Sequence, residues 1–326
     1  MGELNIAILL ASVLATAAPI ILAVLGETIT EKAGVINLSI DGVILLSAMA
    51  AFMTAHKTGS VLAGFLAAAA VGGFSAAIVA VFSVYMEQSQ TAVGFALTLM
   101  TRDLAYFLGN PFSGLQAPQA NLTPIPFLSD IPFFGPVFFS HYPPVYLSLF
   151  LTFFCWFYIY KTRPGLNLRS VGERPDASYS RGIPPRRLRI LYTICGGLFT
   201  GLAGASFSLA VKPGWGRPQG AEGTGWIALA LVIFGGWHPV RAALGACLFS
   251  FLQVMGIHFQ DWFPSTPAQV FQIAPFPLMI FTLLIIDFTQ KESVLNWADK
   301  RKFVKSLLKI FSGRPPAALG KPYKPN

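Results

Sequence analysis

GETITEKAGVINLSIDGVILLSAMAAF, residues 26–52, decides how the whole chain is read. It opens with Glu27, Glu31 and Lys32, passes Asn37 and Asp41, and then stays apolar without a break. Polarity gathered at the mouth of an oily segment reads as the junction of two membrane spans, with Glu27 to Lys32 at their wet inner end. Asn37 and Asp41, placed on one helix, fall one turn apart on the same face. They can line a pathway or fix a broken helix. The plainer role for both is to cap the helix start and bond nearby backbone.

The rest of the chain agrees with a membrane reading. It has 326 residues, 54% hydrophobic and only 11% charged, with a mean hydropathy of +0.61. That is too apolar and too poor in charge for a soluble domain of this length. A spanning helix needs about 20 mainly apolar residues. Windows at 4–25, 35–55, 61–85, 91–108, 145–160, 188–211, 225–237, 240–257 and 268–288 meet or approach that. The expected fold is all-α, a polytopic transmembrane helical bundle of about nine segments, the seventh short enough to be re-entrant. The first follows Glu3 with no basic residue before it, unlike a cleaved signal peptide, and is expected to remain as an anchor. Residues 1–290 make the membrane domain, and 291–326 a basic tail.

Charge gives an orientation. Residues 161–189 hold eight Lys or Arg against Glu173 and Asp176, and the tail from Lys291 holds nine against Glu292 and Asp299. The connection 109–144 has no Lys or Arg and a single acid, Asp130. The positive-inside rule then puts both basic segments in the cytoplasm and the Pro-rich connection outside. Nine crossings place the N-terminus outside and the C-terminus inside. Within the tail, Val294, Trp297, Val304, Leu308 and Phe311 recur along one helical face, as in an amphipathic helix lying on membrane lipid. These charges flank spans and carry no nucleic-acid-binding signature.

Several chemistries are missing. Gly320-Lys321 is followed by Pro322 and is no phosphate-binding loop, and neither HExxH nor GxSxG occurs. Cys155, Cys195 and Cys247 each fall in a separate span, without metal-ligand spacing. No bound cofactor or metal is expected, and no enzymatic activity: no converging His, Asp or Glu set for a transferase can be assembled. Arg102 and Asp103 form an adjacent charged pair inside a span, structural or in the pathway. Neighbouring helix positions point about 100° apart, so the two are expected to meet different helices rather than each other. Gly197, Gly201 and Gly204 form a small-residue face for close helix packing. A weak inverted echo relates the halves: a small-residue helix leads to GFALTLM in one and to GWIALALVIFG in the other.

The inner connection KTRPGLNLRSVGERPDASYSRGIPPRRLR, residues 161–189, has more internal order than orientation requires. Gly165 and Gly172 read as chain breaks. A short helix from Pro175 to Arg181, closed by Gly182, would present Asp176, Ser180 and Arg181 to the cytoplasm.

Here a resemblance becomes specific. Residues 165–183 resemble the cytoplasmic loop of bacterial ABC importer permeases of the ribose and branched-chain amino-acid superfamily. Residues 26–52 resemble the GE-x-I-S-E-R-A-G-V-x-N-L-G-I-E-G pattern of its simple-sugar and nucleoside branch, with Ser39 and Asp41 where Gly and Glu are usual. GTGWIALALVIFGGWHPVRAALGACLFS, 223–250, and TPAQVFQIAPFPLMI, 266–280, continue the match in order. The wording is most like the smaller permease of nucleoside importers.

The resemblance implies a permease subunit of an ATP-driven importer for nucleosides or simple sugars in the bacterial plasma (inner) membrane. It implies a cytoplasmic ABC ATPase that uses ATP and magnesium, a second permease, unlike or identical, and an extracytoplasmic solute-binding protein. ATPase closure would be transmitted through Gly172, Glu173, Arg174, Pro175, Asp176, Ser180 and Gly182. Pathway candidates are Asn37, Asp41, Arg102 and Asp103. The alternative reading is an ion-coupled secondary carrier or channel, with Arg102, Asp103 and Asp287 as coupling candidates.

Overall fold

The computed structural model describes residues 6–263 and 313–323, with Val270, Ile273, Pro277, Ile280, Phe281 and Leu284 as isolated positions. An apolar stretch winds into α1 (Ile6–Lys32), which carries Pro19 within its length. From Ala17 to Glu31 every residue of α1 is buried, so this helix is a central post rather than a peripheral anchor. The chain turns at Ala33 and Gly34 and runs unwound to Ser39 before α2 (Ile40–Thr58) begins. α2 is buried for most of its length, as expected of a helix that is apolar on every side.

α3 (Val61–Ala80) ends in a π-helical turn, Val81–Tyr85, and α4 (Gln90–Gly109) follows. The Pro-rich connection after α4 carries one antiparallel pair of two-residue strands, β1 (Thr123–Pro124) with β2 (Ser140–His141). Next come α5 (Pro143–Lys161), α6 (Arg163–Glu173), α7 (Pro175–Tyr179) and α8 (Pro185–Ser206), which closes in a second π turn, Phe207–Val211. α9 (Thr224–Phe234) and α10 (Pro239–Trp262) complete the described helices.

Six of these helices are long and apolar enough to cross a membrane. α4 is 20 residues long, but the pair Arg102 and Asp103 lowers its hydropathy, and it is not among the six. α9, with 11 residues, is too short to cross alone. Apart from those six isolated positions, the expected span 268–288, with its coupling candidate Asp287, lies outside the described residues, as does the amphipathic helix in the tail. Large apolar side chains on α3, α4 and α5, among them Phe74, Phe107, Phe150 and Phe153, are exposed, as lipid-facing or subunit-facing surfaces require.

α8 joins the bundle through its small residues. A Cβ on Gly72 of α3 would stand 2.6 and 2.7 Å from the Gly201 backbone, and closer still to the Gly197 carbonyl. One turn further, a Cβ on Gly204 would meet the Ala48 nitrogen of α2 at 2.8 Å. On its other side Gly196 lies against the Gly26 carbonyl of α1. α3 and α8 run antiparallel, since Gly64 meets Leu209 while Gly73 meets Leu198. Both small-residue helices end in a π turn before the segment that follows.

Two expectations change here. Gly165 and Gly172 do not break the chain: both lie within α6. Each marks a close approach instead, Gly165 to the Tyr158 and Ile159 backbone and Gly172 to Lys32, whose carbonyl carbon would stand 3.0 Å from an added Cβ. The helix after Pro175 is two residues shorter than expected, ending at Tyr179.

Candidate functional site

The polar residues of 26–52 build a broken-helix junction. Glu27 and Glu31 are 1% and 4% exposed, inside α1 rather than in a wet hairpin. Asn37 and Asp41 are not one turn apart on a helix, because the helix starts only at Ile40. The unwound residues 33–39 carry backbone groups that need partners when removed from water. Side chains from α1 and α4 supply them. Glu27 Oε1 accepts from the Asn37 N–H at 3.0 Å, Gln90 Oε1 accepts from the Ile36 N–H at 2.8 Å, and the Thr98 hydroxyl donates to the Leu38 carbonyl at 2.8 Å. Asn37 Oδ1 accepts from the Ser39 N–H at 3.1 Å and from its hydroxyl at 2.6 Å, which shapes the turn into α2.

Asp41 then ties two helix starts together. It lies in the first turn of α2, and its Oδ1 accepts from the N–H of Gly225, in the first turn of α9, at 3.0 Å. A carboxylate between two helix N-termini meets both positive dipole ends. Gly225 is needed for this approach: a Cβ there would stand 2.7 Å from the Asp41 Cβ. At the far end of α9, Trp237 donates its indole N–H to Glu31.

Arg102 and Asp103 diverge. Arg102 Nη2 lies 3.4 Å from Glu222 Oε2, and the Tyr106 hydroxyl donates to the same carboxylate. The N–H of Gln219 donates back to Tyr106 at 3.2 Å, and the Arg217 guanidinium covers its ring at 4.8 Å. Asp103 opens instead onto a cavity of about 720 Å³, lined also by Tyr106, Phe107, Asn110, Trp215 and Arg217. The ion pair is 44% and 30% exposed. Partly uncovered charges on a helix of this bundle face water or protein rather than lipid. Reading the sequence missed Glu222, although its polar, Gly-rich stretch 212–225 between apolar helices was a usable signal.

On the opposite face α6 and α7 form a projecting corner. Glu173, Arg174, Asp176, Ser180 and Gly182 are exposed there, with Pro175 half-buried. The buried Ser178 hydroxyl donates to the Arg174 carbonyl at 3.0 Å and anchors the turn. Gly182 closes it at φ +80° with its N–H on the Tyr179 carbonyl at 2.8 Å, and nothing stands within 4 Å of its open side. Gly197, Gly201 and Gly204 lie apart from both sites, in the helix contacts described above. In the α9–α10 turn, His238 stacks on Tyr160 at 5.0 Å. Burial, and then the charges of Arg241 and Lys32, push its imidazole down to about 4. Among the described residues no group of three or more His, Cys, Asp or Glu could hold a metal ion.

Apolar helices around an unwound polar junction, with an open polar cavity beside α4 and an exposed corner at α6–α7, are the architecture of a multi-pass membrane protein. Residues 9–283 match the family described as branched-chain amino acid transport system, permease component, and the chain belongs to that family. It is 35% identical, over 80% of its length and 78% of the relative's, to a Haloferax volcanii protein named as a glucose ABC transporter permease, TsgC13. The guanosine ABC transporter permease NupQ of Bacillus subtilis is 31% identical over 85% of this chain and 91% of its own. The nucleoside ABC transporter permease NupC of Lactococcus lactis is 29% identical over 92% and 97%. No solved structure matches the chain.

Proposed function

We propose that the chain forms the translocation pathway of an ATP-driven importer for nucleosides or simple sugars, in the bacterial plasma membrane with its N-terminus outside and C-terminus cytoplasmic. The observation that carries this reading is the exposed α6–α7 corner on a member of a permease family, a surface suited to an ATPase that alone holds ATP and magnesium. A second permease, unlike or identical, completes the pathway, and an external binding protein delivers solute to the cavity beside α4. Asp103, Asn110 and Arg217 offer hydrogen-bonding groups, and Tyr106 and Phe107 an aromatic wall. That combination suits neutral, hydroxyl-rich solutes, with or without a flat base. The permease names of the relatives, guanosine, nucleoside and glucose, support the same solute classes.

Proteoliposomes carrying the assembled importer test this. Uptake of radiolabelled guanosine or glucose should require internal ATP and survive ionophores that collapse proton and sodium gradients. Asp176→Arg should reduce ATPase association at unchanged membrane insertion. Gradient-driven uptake without ATP would establish the carrier reading instead.

A further inference from the structure

Residues 313–323 return to the cytoplasmic face and cross it as a strap. Gly313 packs on Gly236 in the α9–α10 turn. The Ala317 N–H donates to Glu173 at 3.2 Å, and the Ala318 N–H donates to the Gly172 carbonyl at 2.9 Å, both at the end of α6. The Gly320 N–H donates to the Gly34 carbonyl, in the α1–α2 turn, at 3.2 Å. Tyr323, 6% exposed, lies with its ring 6.4 Å from that of Tyr179 in α7. One short segment thus touches the projecting loop, the unwound junction and the turn below α9.

Arg189 fastens it. This side chain, at the cytoplasmic start of α8, is 1% exposed. Its Nη1 donates to the Lys321 carbonyl at 2.8 Å and its Nη2 to the Ala318 carbonyl at 3.3 Å. Gly34 is required beside it, since a Cβ there would stand 2.8 Å from Nη2. A buried cation is costly without partners, and both guanidinium bonds go to strap carbonyls rather than to a carboxylate. The fork of a guanidinium is suited to gripping two carbonyls at once.

We infer that Arg189 is a positioning residue that clamps the strap, so that displacement of the α6–α7 corner reaches the 33–39 junction as the motion of one body. This rests on the corner being the ATPase contact.

The assembled importer, reconstituted with radiolabelled guanosine and glucose as probes, tests it. Arg189→Gln should leave ATPase co-purification and basal hydrolysis within twofold of wild type, while solute moved per ATP falls at least tenfold. Arg189→Lys, which keeps the charge and one donor position, should recover part of that ratio. Replacing Tyr179 and Tyr323, whose rings lie 6.4 Å apart, by cysteine allows the strap to be fastened covalently with a short bis-thiol-reactive linker. Cross-linking this pair in the Arg189→Gln background should restore coupling, and with Arg189 intact should leave uptake within twofold of the same double-cysteine protein before cross-linking. The inference is overturned if Arg189→Gln reduces only the amount of assembled complex, if its coupling ratio is unchanged, if the cross-link fails to rescue it, or if the cross-link arrests uptake. Failure of the corner itself would show separately, as undiminished ATPase association in the Asp176→Arg variant.

Discussion

Gly72→Ala adds one methyl group where α3 and α8 meet backbone to backbone, and the expected cost can be worked from that geometry. The new carbon would stand 2.6 Å from the Gly201 nitrogen and 2.7 Å from its Cα, and no side chain there can move aside. Ordinary contact needs about 3.5 Å, so the helices must separate by roughly 1 Å locally, a gap that forfeits a quarter to a half of each dispersion contact. With about 30 atom contacts near the crossing at about 0.15 kcal/mol each, the loss is about 1–2 kcal/mol. Strain in an overfilled interface adds about 1–3 kcal/mol. Better helix propensity returns up to about 1 kcal/mol. With that gain returned in full, the net expectation is destabilisation by about 1–4 kcal/mol. Gly73→Ala is the internal control, because the nearest atoms to its Cβ belong to side chains, Leu198 at 2.8 Å, which can rotate, and Ile194 at an ordinary 3.9 Å. Thermal unfolding in lipid nanodiscs, followed by tryptophan fluorescence, should show a clear drop in midpoint for Gly72→Ala and almost none for Gly73→Ala. Equal midpoints for the two variants would refute the argument from backbone contact.

Three further outcomes are expected. Arg102→Leu should lower the yield of monodisperse complex on size-exclusion chromatography more than Arg102→Leu with Glu222→Gln does, because the double change does not leave the Glu222 carboxylate stripped of its Arg102 partner; a double variant no better than the single would count against the pairing. His238 is held down at about 4 when folded, against an ordinary value of 6.5, so the unfolded chain binds the extra proton between those values. Stability contributed by neutral His238 is therefore complete above about pH 6.5 and lost as the pH falls toward about 4, and His238→Gln should flatten the melting midpoint across that window. A peptide of residues 294–311 should be unstructured in buffer and become helical by circular dichroism on anionic vesicles, gaining about 1 kcal/mol per basic residue, but not on neutral ones.

What could be read from the sequence followed from how local the cause was. The helices at Val61–Tyr85 and Pro185–Val211 are fixed by runs of apolar and small residues, and their spans emerge within a few positions of those expected. The α7 corner was legible because Pro175 and Gly182 act on their own backbone. Gly165 and Gly172 were misread for a related reason: a glycine can serve conformation or proximity, and only the neighbouring segment tells which. Glu27 and Glu31 looked wet because charge ordinarily is. Their burial follows from the Asn37 N–H and the Trp237 indole, the second 206 residues away in the chain. Likewise nothing near Asp41 announces Gly225, nor anything near Arg102 its partner Glu222. Pairings of that range are set by the folded bundle, and a periodicity argument cannot reach them.

The Asp41–Gly225 bond also bears on how the protein is made. Its two ends are 184 residues apart in the chain. At a synthesis rate of roughly 5–20 residues per second, the amide arrives about 10–40 s after the carboxylate has left the ribosome. The partner of Glu31 comes later still, at Trp237. Until then the first hairpin carries acids meant for burial with no mates, so it cannot settle fully in the bilayer. Nascent α1 and α2 are then expected to wait at the edge of the insertion machinery, and a chain stalled before α9 should remain an open substrate for membrane proteases.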